Sequence, residues 1–600
     1  MKTIKVLFKS IREYGRDSIF AMLFVFFEVI MEISMPFLTS LLIDEIDADK
    51  IAAARTVGFD FTKIIWLSVA LIAMSFVALG CGVLSGKYAA SASAGFAKNL
   101  RKDLFKKVND FSFANIDKFS SSSLVTRLTT DVSNVQMAYM MIIRTAVRAP
   151  FMMIFSVIMA FVQSPQLAWV FVIVVPLLLG SLVGIMFGVH KIFRRIFKKY
   201  DALNESVQEN ISGIRTVKSY VREDYEINKF NRASGEIKKD FTYAERIIAW
   251  NQPVMQFAIY ALNLVIINVG GYLILKNTTL VNGEVQQVLT IGKLTSLITY
   301  GIQTLMSLMM LSIIFLMILM SLEAARRITE VLEEQPTIKN PSNPVFEVKD
   351  GSIEFENVSF KYKADAEKNA LENINLSIKS GQTIGILGGT GSSKTTLVNL
   401  ISRLYDVSEG TLKVGGIDVK EYDLDTLRNQ VSVVLQKNLL FSGTIAENLR
   451  WGNPNATDEE LKQACDLACA SEFIEGFNDK YETHIEQGGS NVSGGQKQRL
   501  CIARALLKKP KVLILDDSTS AVDTKTDAKI RAGLKQFIPE TTKIIIAQRL
   551  TSIQDADLII MMDGGTIIDR GTHEELMKKN PEYKETYLAQ NHLAEEGGAK

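Results

Sequence analysis

Cysteine and histidine are both scarce in this chain of 600 residues, which contains four of each. The four cysteines are too few and too scattered for a disulfide framework. Cys465 and Cys469 lie four residues apart, but no histidine or second cysteine pair lies nearby, so small buried thiols are a better interpretation than a zinc site. A net charge of +2 gives no global electrostatic case for binding nucleic acid, and we expect no such partner.

Apolar residues are abundant, at 48% of the chain, and they are concentrated in its first half. Six apolar stretches are long enough to cross a bilayer, since a spanning helix needs about 20 residues. They lie near residues 18–42, 63–86, 138–163, 167–190, 250–275 and 294–322. We therefore expect residues 1–325 to form a six-helix transmembrane bundle with long cytoplasmic helical extensions, in contact with the lipid bilayer.

Charge is distributed unevenly between the connecting segments. The two long polar segments, 87–137 and 191–249, are rich in lysine and arginine, whereas the 43–62 loop is acidic. Cytoplasmic loops of membrane proteins carry an excess of basic residues. We expect a multi-pass protein whose two long segments and both termini lie in the cytoplasm.

Two acidic residues, Glu28 and Glu32, lie within the first predicted span. Because they are four residues apart, they share one face of a helix. A carboxylate at this depth is costly and usually faces a bundle interior or a wet cavity. One interpretation is that they contact the cargo and favour a cation; the alternative is a structural hydrogen-bonded pair with one acid protonated. For Arg144 and Arg148 of the third span we favour a structural or snorkelling role.

The composition changes after the last predicted span. Prolines and polar residues between 334 and 344 indicate a linker, which we place at 326–350. From Gly351 onward, apolar strands alternate with helices and polar loops, the pattern of an α/β nucleotide-binding domain. We expect that domain to cover residues 351–590, followed by a tail at 591–600.

A glycine-bearing loop follows a short apolar strand and precedes a helix in this domain. Such a loop directs backbone N–H groups and a helix N-terminus at one phosphate. Lys394 is expected to reach the β- and γ-phosphates and Thr395 to meet Mg²⁺, while Ser393 replaces the consensus glycine before the lysine. The residues expected to bind the nucleotide here are Gly388, Gly389, Thr390, Gly391, Ser392, Ser393, Lys394, Thr395 and Thr396.

An acidic residue at the end of a later strand is a second sign of a nucleotide site. The apolar strand beginning at Lys511 ends in Asp516. A buried strand that ends in an acid places the carboxylate beside the phosphate loop, where it holds the Mg²⁺ shell. The two motifs together predict a P-loop ATPase whose cofactors are ATP and Mg²⁺.

The stretch AsnValSerGlyGlyGln at 491–496 resembles the signature motif of ABC-type ATPases, and the order of motifs along the chain is that of the family. With six spans before the ATPase domain, the chain resembles ABC exporters of the type IV fold over nearly its whole length. The resemblance implies that Tyr362 stacks on adenine and that Gln436 touches Mg²⁺ and senses the membrane domain. It also implies that SerAlaValAsp at 520–523 forms the D-loop, with Asp523 at the nucleotide.

In that family, two ATPase domains sandwich each ATP between the loop of one chain and the signature of the other. The resemblance therefore implies that the signature residues of this chain act on a partner's site: Ser493, Gly494, Gly495 and Gln496. It further implies that short helices in the cytoplasmic segments 119–132 and 210–220 rest on the ATPase domains.

Two positions depart from the catalytic pattern of the family. Asp517 stands where a glutamate is expected to orient the attacking water, and Gln548 stands where the switch histidine is expected. None of the four histidines offers an apparent replacement. The pattern resembles the degenerate-site subunit of heterodimeric bacterial multidrug exporters, whose partner half-transporter carries the consensus glutamate and histidine.

The resemblance implies ATP-driven export of amphipathic drugs or lipids across a bacterial plasma membrane by such a heterodimer. The chain's own site is then expected to bind ATP and hydrolyse it slowly. Two alternatives stay open. One keeps the fold but moves a dedicated lipid or peptide, or imports its cargo. The other is a regulatory ATP-binding subunit that gates its partner.

Overall fold

The computed structural model describes residues 2–46, 61–276, 278–281, 284–287, 289–363, 365–517 and 521–597. Most of the predicted acidic loop, and residues 598–600 of the predicted tail, lie outside them. The chain divides into two compact units, Met1–Asn109 with Ser121–Glu334 and Asp110–Ser120 with Gln335–Lys600. They are called the helical unit and the α/β unit below.

Six helical stretches of the described residues are long and apolar enough to cross a membrane: Arg12–Glu45, Thr62–Asn109, Ser121–Gln163, Pro165–Ser212, Glu223–Lys276 and Ile291–Glu333. Each predicted span lies inside one of them, so the prediction of six spans is confirmed. The stretch Thr62–Asn109 has 48 residues. At 1.5 Å per residue such a helix is about 72 Å long, more than twice the ~30 Å hydrocarbon core, so it extends well beyond the membrane.

The helices up to the end of the helical unit are numbered in chain order. They are α1 Lys2–Phe8, α2 Gly15–Glu45, α3 Thr62–Asn109, α4 Phe113–Phe119, α5 Ser121–Thr126, α6 Val132–Gln163, α7 Pro165–Ser212, α8 Ile214–Ser219, α9 Glu223–Ala249, α10 Asn251–Lys276 and α11 Ile291–Glu333. A 3₁₀ turn occupies Arg12–Tyr14 and a π-helical turn Arg127–Asp131. Strands β1 Thr278–Val281 and β2 Glu284–Gln287 pair antiparallel.

The core of the helical unit includes the contact between α2 and α11. Val29 and Ile33 of α2 are buried in one cluster with Leu297 and Tyr300 of α11. The Tyr300 hydroxyl donates a hydrogen bond to the Ile33 carbonyl at 2.9 Å. Since a buried tyrosine hydroxyl needs a partner, this bond fixes the position of α11 along the axis of α2. Helix α11 continues to Glu333, so residues 326–333 of the expected linker are helical.

The α/β unit contains two main sheets among its described residues. Their strands are β3 Ile353–Phe360, β4 Leu371–Ile378, β5 Thr383–Leu387, β6 Glu409–Val414, β7 Ile417–Asp418, β8 Val431–Val434, β11 Val512–Asp516, β12 Thr542–Ile546, β13 Leu558–Asp563 and β14 Thr566–Gly571. The six-stranded sheet has the order β14-β13-β5-β12-β11-β8, and the four-stranded sheet β4-β3-β6-β7. A separate short pair joins β9 Gly443–Thr444 to β10 His484–Ile485.

The middle of the six-stranded sheet is parallel, and only its edge pair β13–β14 is antiparallel. Strands β11 and β12 are buried at every position. Parallel strands that are covered on both faces consist of consecutive apolar residues, as in ValLeuIleLeu at 512–515. The predicted α/β nucleotide-binding domain is thus confirmed.

The helices of the α/β unit after α11 complete the fold. They are α12 Lys394–Ile401, α13 Leu424–Gln430, α14 Ile445–Arg450, α15 Asp458–Leu467, α16 Ser471–Ile474, α17 Gly494–Leu506, α18 Thr524–Phe537, α19 His573–Lys579 and α20 Pro581–Gly597. Short 3₁₀ turns lie at Lys480–Glu482, Gln487–Gly489 and Leu550–Ser552.

Helix α4 belongs to the α/β unit although its neighbours in the chain do not. A capping box formed by Ser112 and Asn115 begins the helix. The Asn115 side-chain amide donates to the Gln335 carbonyl at 3.0 Å, and its oxygen accepts from the Thr337 N–H at 3.2 Å. The Ser112 and Thr337 hydroxyls are also hydrogen-bonded to each other. Helix α4 shares only Phe119 with the segment 119–132, whose expected contact with the ATPase domains stays a prediction.

Candidate functional site

The predicted nucleotide motifs follow the carboxyl ends of adjacent strands. Strand β5 ends at Leu387 and leads directly into the glycine loop. The next strands on one side of it, in the order β12, β11 and β8, end at Ile546, Asp516 and Val434. Parallel α/β sheets place their ligands at this edge. The sheet therefore brings the glycine loop and Asp516 to the same end as Gln436, Asp517 and Gln548, which follow β8, β11 and β12.

The glycine loop has the backbone geometry that phosphate binding requires. A Cβ at Gly388 would lie 2.2 Å from the Met562 carbonyl oxygen, so only glycine fits there. Gly391 has a φ of +86°, and open space surrounds the Cβ positions of Gly389 and Gly391. Ser393 also takes a left-handed conformation, with φ 70° and ψ 22°. Since this region costs a non-glycine residue about 1–2 kcal/mol, the consensus glycine has a physical reason here.

Lys394 begins helix α12 and folds its side chain back over the loop. Its Nζ donates to the carbonyl oxygens of Gly388 at 2.9 Å and Gly389 at 2.7 Å, and to the Ser392 hydroxyl at 3.2 Å. Burial lowers the pKa of the Lys394 ammonium, partly offset by the nearby Asp516 and Asp517 carboxylates. Phosphate oxygens are stronger acceptors than these carbonyls, so the same donors suit a nucleotide.

Thr395 and Asp516 form the candidate Mg²⁺ site. The Thr395 hydroxyl donates to Asp516 Oδ2 at 2.8 Å. Asp516 is only 2% exposed, and this burial raises the pKa of its carboxyl group, opposed by the Thr395 hydrogen bond. A hydroxyl and a buried carboxylate are hard oxygen ligands of the kind that Mg²⁺ prefers. The residues present therefore fit the cation.

Two of the predicted side chains, Gln548 and Gln436, converge on the Asp517 carboxylate. Asp517 Oδ2 accepts from Gln548 Nε2 at 2.9 Å and from Gln436 Nε2 at 3.4 Å. The Asp517 backbone has a φ of +47°, and its N–H donates to the Ile546 carbonyl at 3.0 Å. Aspartate is among the non-glycine residues that tolerate this conformation best. The residue expected to orient water, Asp517, is thus bonded both to the residue at the switch position, Gln548, and to the glutamine expected to touch Mg²⁺, Gln436.

The signature motif begins helix α17. Ser493 and Gln496 form a capping box, in which the Gln496 N–H donates to Ser493 Oγ at 3.3 Å and the Ser493 N–H to Gln496 Oε1 at 2.9 Å. Because the Ser493 oxygen is the acceptor, its hydroxyl proton stays available to a ligand. A Cβ at Gly495 would lie 2.8 Å from the Ala521 carbonyl oxygen, so this helix end packs tightly on the D-loop.

Asp523, expected at the nucleotide, has a structural contact in this chain. Its side chain caps helix α18 by accepting from the Thr526 N–H at 2.9 Å. Gln498, which the sequence interpretation missed, anchors the D-loop by accepting from the Ala521 N–H at 3.0 Å. Ser520 of the predicted D-loop lies outside the described residues.

Tyr362 lies beside the phosphate loop, with about half of its side chain exposed. Its hydroxyl is hydrogen-bonded to the Thr396 hydroxyl at 2.8 Å. Tyr405 packs edge-on against it, with ring centroids 5.2 Å apart, and donates to Asp117 of α4 at 2.7 Å. Burial first, and then Asp117, raise the pKa of Tyr405. Sequence reasoning missed Tyr405 and Asp117, although an aromatic residue shortly after the loop helix was a usable signal.

The two membrane carboxylates lie in the helical unit. Glu28 and Glu32 do not bond to each other; instead, Arg148 of α6 lies between them, with contacts of 2.6 Å to each. Arg148 thus has the contacts that the favoured structural role requires, and the bonds recorded for the two acids run to Arg148 rather than between them. The sequence could not identify this counter-ion, because it gives no information on which helix faces are adjacent.

Comparison with known proteins assigns both units. Residues 18–308 match the family model described as the ABC transporter transmembrane region, and residues 371–520 match the model described as ABC transporter. YfiB of Bacillus subtilis strain 168, an uncharacterised ABC transporter ATP-binding protein, is 34% identical over 526 residues, which cover 88% of this chain and 89% of YfiB.

Two further similarities extend this result. YheI of the same strain, a probable multidrug resistance ABC transporter ATP-binding/permease protein, is 33% identical over 506 residues, or 84% of each chain. A solved bacterial Atm1-family ABC exporter with ATP bound has a TM-score of 0.82 at 21% identity. The match covers 96% of this chain and 99% of the solved one, and it establishes a common fold.

Six membrane-spanning helices joined to a P-loop ATPase domain define an ATP-driven membrane transporter. The chain belongs to the ABC transporter family, and its fold is that of the ABC exporters. The ATPase domain implies hydrolysis of ATP coupled to transport.

The backbone strain at Ser393 predicts a stabilising substitution. Ser393→Gly removes a left-handed cost of about 1–2 kcal/mol but adds about 0.5–1 kcal/mol of unfolded-state entropy. We expect a small rise in the thermal unfolding midpoint of the purified chain. Gly391→Ala is the matched control, because it places a side chain at a positive φ in open space and is expected to lower the midpoint. A lower midpoint for Ser393→Gly contradicts the strain argument.

The contact between Tyr405 and Tyr362 predicts an effect on nucleotide affinity. An aromatic pair of this kind contributes about 0.5–1.5 kcal/mol, so Tyr405→Ala is expected to weaken ATP binding about 2- to 10-fold. Tyr405→Phe keeps the ring and removes only the bond to Asp117, and its affinity is expected to remain near that of the wild type. Titration of a fluorescent ATP analogue measures both. Equal affinities for Tyr405→Ala and the wild type exclude this role.

Proposed function

We propose that this chain is one half of a heterodimeric ATP-driven exporter of amphipathic compounds in a bacterial plasma membrane, with both termini in the cytoplasm. Its own nucleotide site binds ATP and hydrolyses it slowly. Its signature motif completes the competent site on the loop of a second half-transporter that carries the consensus glutamate and histidine.

The observation that carries this proposal is the hydrogen bond from Gln548 Nε2 to Asp517 Oδ2 at 2.9 Å. Asp517 is one methylene shorter than the expected glutamate, and a misplacement of about 1 Å at a reacting group can cost about 100-fold in rate. The carboxylate also accepts amide donors from two glutamines, which compete with a water molecule for its oxygens. Glutamine at 548 lacks the ring nitrogens of the expected histidine.

The phosphate-binding part of the site supports retention of the nucleotide. Lys394 and the loop N–H groups suit the phosphates, and Mg²⁺ held by Thr395 and Asp516, with Gln436 nearby, would neutralise phosphate charge when bound. The described contacts of these residues are those of an intact binding loop. A degenerate site is one that binds ATP and hydrolyses it slowly, and these residues support the binding.

The signature favours a role at the partner's site. Among the described residues the Ser493 hydroxyl is recorded only as an acceptor, and the first N–H groups of α17 have no carbonyl partner within their own helix. Such donors are most effective where charge develops on a γ-phosphate in a desolvated site. The similarity to YheI, a probable multidrug resistance transporter, supports amphipathic drugs as cargo.

Asp517→Ala tests the unequal sites in the complex co-purified with its native partner. We expect the steady-state ATPase rate to change less than about twofold, whereas removal of the partner's catalytic glutamate should lower it by at least about 100-fold. Equal losses from the two substitutions exclude the asymmetry. Full turnover by this chain alone would also contradict the proposal, and a chain that binds ATP but gates its partner without supporting transport would favour the regulatory alternative.

Ser493→Ala tests the contribution to the partner's site. Loss of one preorganised donor is expected to lower turnover of the complex by about 100-fold. The substitution also removes a helix cap worth about 1 kcal/mol. Thr457→Ala is the matched control, since Thr457 caps α15 through the same type of capping box with Glu460. An unchanged rate for Ser493→Ala, or an equal loss in both variants, contradicts the assignment.

A further inference from the structure

The helical unit contains a cavity of about 460 Å³ between α2, α6 and α11. This volume is in the range of sites that hold drug-sized molecules. Glu32 and Arg148 are the charged residues of its lining. The walls are also held in place, because Tyr300 ties α11 to α2 and Gln163 Nε2 of α6 donates to Ser40 Oγ of α2 at 3.0 Å. The cavity is thus preorganised.

The charge at this cavity is unbalanced. Arg148 donates from one terminal nitrogen to Glu28 Oε1 at 2.6 Å, and from the other to both oxygens of Glu32 at 2.6 and 2.7 Å. These three side chains alone carry a formal charge of −1; the next guanidinium, that of Arg144, packs against Gly86 of α3 and is not in the lining. Glu28 is 93% buried, since its exposure is 7%, and its Oε2 has no hydrogen-bond partner among the described residues. An uncompensated charge at this depth is costly, so a cation would be stabilised.

The two carboxylates have different positions. A Cβ at Gly82 of α3 would lie 3.3 Å from Glu28 Oε1, so Glu28 packs toward α3 and holds Arg148 from that side. Glu32 instead lines the cavity. Glu28 is therefore a positioning residue for the guanidinium, and Glu32 is the carboxylate that a ligand would meet.

The hydroxyl groups of the wall present acceptors. Thr39, Thr295 and Thr299 each donate their proton to a carbonyl of their own helix, to Met35 at 2.9 Å, to Ile291 at 2.9 Å and to Thr295 at 3.1 Å. A hydroxyl that has used its proton offers only lone pairs to a neighbour. The wall is therefore rich in acceptors and suits N–H donors rather than anions.

The remaining wall is apolar and adaptable. Met35 and Met152 line the cavity beside Pro36. Thioether side chains are flexible and polarisable, so they pack against varied hydrocarbon and aromatic groups. A ligand that matches both surfaces has a cationic N–H head and an apolar body.

We propose that this cavity binds amphiphilic protonated amines, with Glu32 as the counter-ion and the threonine hydroxyl oxygens as acceptors for the ammonium protons. The inference rests on the proposed export function for its cargo, but it is independent of the unequal nucleotide sites. Quaternary ammonium ions can pair with the charge of Glu32 but have no N–H group to donate to the threonine oxygens. Neutral amides carry no charge to pair with Glu32.

The test uses the purified transporter in lipid nanodiscs and three dansyl probes on the same five-carbon chain. One ends in a primary ammonium, one in trimethylammonium and one in an N-acetyl group. Glu32→Gln is expected to weaken binding of the ammonium probe at least about tenfold, since a hydrogen bond to a charged group contributes ~1.5–3 kcal/mol, and the acetylated probe less than about twofold. Glu32→Asp should retain part of the affinity for the ammonium probe. This variant replaces Glu32→Gln in the test if Glu32→Gln does not fold.

Thr299→Val tests the acceptor wall. We expect a loss of about threefold or more for the ammonium probe and little change for the trimethylammonium probe, because only the former donates N–H groups. Thr304→Val is the matched control: Thr304 also lies in α11 and donates to a carbonyl of its own helix, but it is not in the lining. Unchanged ammonium binding in Glu32→Gln, or equal losses for all three probes, overturns the proposal. Intact probe binding without dye transport by the wild type instead rejects the export function and leaves the cavity assignment standing.

Discussion

The parallel pairing of β5, β12, β11 and β8 is the constraint on which the nucleotide site depends. In this ladder Ile386 is level with Ile546, Ile546 with Asp516, and Leu515 with Val434. The four strands therefore end together, and the residues that follow them meet although they are far apart in sequence. A slip of one residue between two of these strands would turn every side chain of one strand to the other face and separate the motifs.

Features encoded by contiguous residues could be predicted, and features that depend on tertiary packing could not. The six spans follow from apolar runs, and the phosphate loop from a strand, a glycine turn and a helix start. Arg148 is 120 residues from Glu28, and Tyr405 is 288 residues from Asp117. No local pattern specifies which helix faces are opposed over such separations, so both pairs required the structure. For the same reason, the sequence could not show that Glu28 packs toward α3 while Glu32 lines the cavity.

A common electrostatic principle links the two units. Asp516 and Asp517 put adjacent carboxylates near a single lysine, and Glu28 and Glu32 put two carboxylates around a single arginine. In each case desolvation makes the surplus negative charge expensive unless a cation arrives. Mg²⁺ fits the first site because its ligands are hard oxygens in a rigid loop. The second is wider and partly apolar, and it suits a larger organic cation.

The discontinuity of the α/β unit has a consequence for synthesis of the protein. Helix α4 is translated more than 200 residues before Gln335 and Thr337, whose backbone groups satisfy Asn115. Until the ribosome has passed that point, Asn115 lacks these partners, and Phe113 and Asp117 lack Tyr405, which contacts both of them in the finished fold. The contacts of α4 with these later residues can therefore form only after the membrane-spanning helices that lie between them in the chain have been synthesised.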